Sequence, residues 1–104
     1  MRLEHYPVEK FKKEIIEIIG KQLDLNEYRV FFFGSRVSGN GTERSDIDIG
    51  IKGSKPIPIK SWIEIQEDIE NFSSLYKIEI VDFGAVAPKF EEVALRQIEL
   101  ISPI

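Results

Sequence analysis

Cysteine is absent from the 104 residues, which excludes disulfides, thiolate zinc sites and cysteine nucleophiles and is in keeping with a reducing compartment. Histidine occurs once, as His5; it has no second imidazole beside it to make a metal pair, and it is assigned no role. No apolar run approaches the ~20 residues of a membrane span. The opening MRLEHYPVEKFKKE interrupts every apolar stretch with charge, unlike a signal peptide. Clustered basic charge is lacking too. The 14 Lys and Arg are scattered among 18 Asp and Glu for a net charge of -4, so long-range electrostatics offer nucleic acid no grip. Neither nucleic acid nor membrane is expected as a partner, and the cytoplasm is the expected location. There is also no internal repeat and no low-complexity tract.

What is present suits one core. Hydrophobic residues make up 42% of the chain, and at this length a second independently stable core would not fit, so residues 1–104 are expected to form a single domain. From Pro7 to about Lys21, Val8, Phe11, Ile15, Ile18 and Ile19 recur at three- and four-residue steps, which predicts an amphipathic helix ending near Gly20. Tyr28 to Phe33 is short, β-rich and almost wholly apolar, as a strand covered on both faces should be. Residues 34–45, GSRVSGNGTERS, carry three of the seven glycines and read as loop with at most a helical turn. Asp46 to Ile51, DIDIGI, alternates with period two and predicts a second strand.

Two prolines between Lys55 and Pro58 break the chain before a helix with Trp62, Ile65, Ile69 and Phe72 on one stripe. Tyr76 to Phe83 predicts a third strand. A last helix is expected from about Pro88 to Leu100, with Phe90, Val93, Ala94, Gln97 and Ile101 inward. The order helix, strand, strand, helix, strand, helix indicates an α/β (α+β) protein, a small mixed β-sheet with helices packed on it.

The most unusual local feature is Asp46 and Asp48, two positions apart on a strand expected to be covered. Side chains at i and i+2 leave one face, with Cα atoms roughly 6.5 Å apart. Two ionised carboxylates that close repel one another and resist desolvation, so the pair calls for a cation or a proton between them. Magnesium suits it, taking hard oxygen ligands from one or two carboxylates together with substrate phosphates. Gly34-Ser35, where the first strand stops, offers a matching phosphate site: close backbone approach at the glycine, and a hydroxyl and N–H groups at the start of a turn. Metal ligands beside a phosphate site describe phosphoryl or nucleotidyl transfer. Taken singly, an acidic edge strand that discourages sheet pairing and an ordinary serine cap would account for the same residues.

Gly34-Ser35, ten intervening residues and Asp46-Ile47-Asp48 resemble the G-S-x10-D-x-D signature of the DNA polymerase β-like nucleotidyltransferase superfamily. The stretch FFFGSRVSGNGTERSDIDIGI is similar to the corresponding segment of the minimal nucleotidyltransferases, small prokaryotic proteins found beside HEPN partners, and the likeness extends over essentially the whole chain. It implies the polymerase β-like fold, Gly34 and Ser35 holding the triphosphate of ATP or another nucleoside triphosphate, and Asp46 and Asp48 binding divalent metal.

A third carboxylate is implied on a neighbouring strand. In YKIEIVDFGAV the matching position is Glu79, where the family usually has aspartate; the extra methylene shifts its carboxylate by about 1 Å, a displacement that costs on the order of a hundredfold in rate when it misplaces a reacting group. Asp82 is the rival, although strand parity puts it on the opposite face. Arg36, and less so Arg44, are candidates for phosphate contact. Trp62, Phe72 and the Phe31 to Phe33 run read as core.

With no room for a second domain, the acceptor is expected on a partner. The resemblance implies a HEPN-domain ribonuclease toxin, adenylylated by this chain as its antitoxin, with a homo- or hetero-oligomer as the assembly. The alternative is a catalytically impaired module that neutralises the partner by contact alone, the longer Glu79 being the reason. Transfer to a small molecule such as an aminoglycoside would call for a further helical domain.

Overall fold

A computed structural model gives the fold and describes residues 1, 3–39, 41, 42, 45–72 and 76–102. The amphipathic segment after Pro7 forms α1 (Val8–Gly20), whose three- and four-residue spacing brings Phe11, Ile15 and Ile19 onto one buried stripe. Then come β1 (Tyr28–Phe33), the single turn α2 (Ser35–Ser38), β2 (Ile47–Gly53), α3 (Ile59–Phe72), β3 (Ile78–Asp82), α4 (Pro88–Ala94) and β4 (Glu99–Ser102). The strands lie in the order β3-β2-β1-β4. β1 runs antiparallel to both β2 and β4, and β2 runs parallel to β3, so the sheet is mixed as expected.

Strand periodicity divides the core in two. Val30, Phe32, Ile47, Ile49, Ile51 and Ile101 pack with Phe11, Ile15 and Ile19 of α1 and Ile65 and Ile69 of α3 in the larger cluster. The alternate positions of β1, Phe31 and Phe33, form a smaller cluster with Phe83, against which Val81, Ala94 and Leu95 pack. Both faces of β1 are therefore covered, which is why YRVFFF reads as an unbroken apolar run. Each fully buried Ile or Phe contributes roughly 1.5–3 kcal/mol of transfer free energy, so most of the stability resides on the α1/α3 face.

The C-terminal region differs from the sequence expectation. The last helix stops at Ala94, a turn takes up Leu95 to Gln97, and a fourth strand follows. Ile101, expected on the inner face of a helix, is instead 1% exposed within β4. The physical reason lies in β1. A strand buried on both faces must satisfy backbone N–H and C=O groups along both edges, and β2 can serve only one of them. β4 supplies the other edge, pairing Leu100 with Phe31 and Ser102 with Val30 across an irregularity between Val30 and Phe31.

Candidate active site

β1 ends at Phe33, and the chain turns at Gly34 with φ 81° and ψ -162°, a region that only glycine occupies without strain. The turn also needs the missing side chain, because a Cβ at residue 34 would lie 2.1 Å from Asp48 Oδ2. The Gly34 carbonyl accepts the Val37 and Ser38 N–H groups at 3.1 and 3.0 Å, starting α2. Ser35 and Arg36 thus stand in a first turn, where helix geometry provides no internal acceptor for the N–H groups. Gly41 folds back so that its N–H reaches the Ser35 carbonyl at 2.9 Å. There a Cβ would approach the Ser35 and Arg36 backbone to 2.9 and 3.0 Å.

The carboxylates come from the two parallel strands. Phe33 pairs with Asp48 across β1–β2, and Asp48 pairs with Glu79 across β2–β3. Residues opposed in this way share a face, so Asp48 and Glu79 emerge side by side on the smaller-cluster face, at the end of the sheet where Gly34 turns. Asp46, two residues before Asp48, belongs to that face as well. Its neighbour across the strands is Lys77, whose Nζ lies 3.9 Å from Asp46 Oδ2. Asp82 pairs with Ile51, on the opposite face, and its carboxylate accepts the Gly84 N–H at 2.8 Å. The strand geometry thus puts Glu79 beside Asp48 and gives Asp82 to the turn that follows β3.

Burial, and then the negative charges of Glu79 and Asp46, push the Asp48 carboxyl up from 3.8 to about 6. Burial is the larger cause and carboxylate repulsion adds to it, and a cation beside the group would offset both. Hard oxygen donors on neighbouring stretches of chain suit a divalent ion such as magnesium in type. Among the described residues, no three acidic or histidine side chains stand close enough together to hold a metal ion.

Beside these residues opens a cleft of about 510 Å³, lined by Gly34, Ser38, Asp48 and Glu79 on its polar side and by Phe33, Val81, Phe90, Val93 and Ala94 on its apolar side, with Arg96 and Gln97 at the end of the wall. α4 forms that wall. It is tied to the sheet by an ion pair between Glu91 and Lys52 of β2, and the turn after it is tied to α2 by Gln97 Nε2 donating to the Val37 carbonyl at 3.1 Å. Phe90 meets Phe33 edge-on and stacks with Phe83, yet 46% of it remains exposed. The sequence pattern placed Phe90, Val93 and Gln97 on the inner face of a longer helix; the structure sets them along the cleft instead.

Arg36 is not among the residues lining this cleft. Its Nε donates to the Ser45 carbonyl at 2.8 Å, and its side chain is 4% exposed. Arg44 lies outside the described residues.

Comparison with known proteins agrees with this geometry. The family model described as Polymerase beta, Nucleotidyltransferase matches residues 13–102. Over 79 residues the chain is 27% identical to the probable protein adenylyltransferase MntA of Haemophilus influenzae, covering 76% of this chain and 68% of that protein. A chain in the crystal structure of a toxin-antitoxin with AMP-PNP superposes with a TM-score of 0.68 at 17% identity, over 86% of this chain and 71% of the other. A second, from the tri-AMPylated HEPN toxin of Shewanella oneidensis in complex with MNT antitoxin, gives 0.63 at 15% identity, over 89% and 71%. At those identities the structural likeness speaks for the fold, and the family model, spanning nearly the whole chain, speaks for the membership: this chain belongs to the polymerase β nucleotidyltransferase family.

Proposed function

We propose that the protein transfers AMP from magnesium-bound ATP to a hydroxyl on a partner protein, acting as the antitoxin that adenylylates a HEPN-domain toxin. The observation that carries this reading is the meeting of Gly34, Asp48 and Glu79 along one polar edge of a cleft whose other wall is apolar. The relative in Haemophilus influenzae and the HEPN–MNT complex support the choice of nucleotide and partner.

In this reading the triphosphate lies against the Gly34 turn, where the missing side chain allows close approach and the Ser35 hydroxyl and N–H donate to phosphate oxygens. Asp46, Asp48 and Glu79 would hold the metal, which would neutralise charge on the phosphates and polarise the α-phosphoryl group. The acceptor oxygen attacks the α-phosphorus, the bond to the bridging oxygen breaks, and pyrophosphate leaves. Glu79, the more exposed carboxylate, takes the hydroxyl proton. Phe90, Val93 and Ala94 cover the nucleoside and exclude water that would compete with the acceptor.

The test is incubation of the protein with magnesium, ATP and the protein encoded beside it, followed by intact-mass measurement of both. Addition of one or more adenylyl groups to the partner, lost in Asp46→Asn and Asp48→Asn, is the expected result. The contact-only reading draws on one observation, the glutamate at position 79 where the family usually has aspartate. A stable complex with no mass gain, which still suppresses the partner after loss of both aspartates, would favour it.

A further inference from the structure

Among the described residues, the Arg36 guanidinium reaches three separate stretches of chain. Its Nε donates to the carbonyl of Ser45, the residue immediately before Asp46, at 2.8 Å. Its Nη1 lies 3.5 Å from Glu4 Oε2. Its carbon sits 5.1 Å from the ring centre of Tyr76, the residue immediately before Lys77, which is Asp46's ion-pair partner. Arg36 itself is the residue after Gly34-Ser35. One buried side chain therefore connects the phosphate turn to the entrances of both strands that carry carboxylates.

We infer that Arg36 is a positioning residue, which sets Asp46 and Asp48 against the Gly34-Ser35 turn by fixing the backbone at Ser45, and that it is not a ligand of the phosphates. The chemistry of the group favours this role. A guanidinium is flat, so it donates hydrogen bonds in its plane to Ser45 and Glu4 while its face rests on an aromatic ring. An ammonium cannot do both. Ser45 is in turn a nodal residue: its N–H donates to the Thr42 carbonyl at 3.0 Å and its Oγ accepts the Thr42 N–H at 2.9 Å. Next to it, Gly41 packs against the backbone of Ser35 and Arg36. Tyr76 is held from the other side, its hydroxyl accepting the His5 N–H at 2.8 Å. A phosphate ligand would need its N–H groups turned to the cleft, whereas this side chain is 4% exposed and committed to Ser45.

The catalytic consequence rests on the transferase reading above; the ordering of Ser45 does not, and the experiment separates them. Arg36→Lys keeps the charge and Arg36→Met removes it. The expected result is that both lower kcat for adenylyl transfer on the order of 10- to 100-fold, as misplacement of reacting groups by about 1 Å does, with the nucleotide KM within about threefold of wild type. Tyr76→Phe keeps the ring and should retain the wild-type KM and kcat within about threefold, while Tyr76→Leu should reproduce much of the loss and be non-additive with Arg36→Lys.

Independently of activity, amide hydrogen exchange at Thr42, Ser45 and Ile47 should quicken about tenfold or more in Arg36→Lys, with Ile15 in α1 unchanged. A tenfold rise in KM at near-normal kcat, with Lys better tolerated than Met, would make Arg36 a phosphate ligand and overturn the inference. Unchanged exchange at those three amides would overturn it too, even if Arg36→Met failed to fold. Should the wild type transfer nothing, the transferase reading fails and the exchange rates alone decide the positioning role.

Discussion

Gly34 and Asp48 are in direct contact across β1 and β2, so close that a single added methyl at residue 34 would stand 2.1 Å from the Asp48 carboxylate. The Gly34 turn and the Asp48 carboxylate are thus one packing unit. Gly34→Ala should cost about 1–3 kcal/mol from backbone strain alone and displace Asp48 besides. Chemical denaturation should report the lost stability. Transfer should fall at least a hundredfold, more than the stability loss explains when assayed well below the melting temperature. An alanine variant with unimpaired turnover would mean that Asp48 does not work from its present position.

The pH dependence of folding follows from the same carboxylate. In the folded protein, burial and the charges of Glu79 and Asp46 raise the Asp48 pKa to about 6, against 3.8 as the ordinary value. The folded state therefore binds an extra proton between those values. The contribution is fully present below pH 3.8 and is lost as pH rises through about 6. A shift of that size corresponds to about 3 kcal/mol without screening; for a half-buried group facing solvent, on the order of 1 kcal/mol is expected. Urea midpoints measured without metal from pH 4.5 to 7.5 should fall more steeply for wild type than for Asp48→Asn. Parallel curves for the two proteins would refute the crowding argument.

Metal should act on the same strain from the other direction. At pH 7.5, above the Asp48 pKa of about 6, saturating magnesium with nucleotide should raise the melting temperature by several degrees, as about 1–3 kcal/mol of linkage does in a chain of this size. At pH 5 the rise should shrink, because protonated Asp48 is a poor ligand. Replacing Asp46 and Asp48 together with Asn should abolish it. If the double variant kept the full shift, the cation would have to bind elsewhere.

Glu79 and Asp82 make opposite predictions although only Ile80 and Val81 lie between them. Glu79 lines the cleft next to Asp48, so Glu79→Gln should reduce transfer by a hundredfold or more with little effect on the urea midpoint. Asp82→Asn disturbs a turn, weakening one hydrogen bond to Gly84 N. It should cost about 0.5–1.5 kcal/mol of stability and leave turnover per folded molecule intact. Glu79→Asp is informative in its own right. Equal or faster transfer would show that the shorter side chain is accommodated, and a large loss would show that the rest of the site is fitted to glutamate.

Much of this was legible before any coordinates, because local pattern and chemistry agreed. The stripe Phe11, Ile15, Ile19 gave α1, the apolar run of β1 announced burial on both faces, and the spacing of Gly34-Ser35 to Asp46 and Asp48 pointed to the end of the sheet where Gly34 meets Asp48. Strand parity alone separated Glu79 from Asp82. Two features were not legible. β4 spans only four residues, too few for period two to stand out from the helical spacing that runs into it from α4; only the unpaired edge of β1 could have called for it. Arg36 sits in a polar loop in the sequence, where solvent or phosphate contact is the natural expectation. Its burial depends on Tyr76, forty residues later in the chain, and no local pattern carries a contact of that range.

The α4 wall is the least conventional part of the site, and its exposure allows a sharp test. Phe90 and Val93 are 46% and 58% exposed, and they face the cleft without being needed to close the main core, which lies on the opposite side of the sheet. In the transferase reading proposed above this wall covers the nucleoside, and removing its side chains weakens binding of ground state and transition state alike, which raises KM and spares kcat. Val93→Ser should therefore lift the nucleotide KM several-fold, with a change of less than about 0.5 kcal/mol in stability. Phe90→Ala should do the same more strongly, at an added cost in folding because its ring contacts Phe33 and Phe83. Lys52→Met, which releases the Glu91 tether of the helix, should raise KM without touching any residue of the cleft. Were all three variants to leave KM unchanged while weakening capture of the partner protein, the wall would belong to the acceptor and not to the nucleotide.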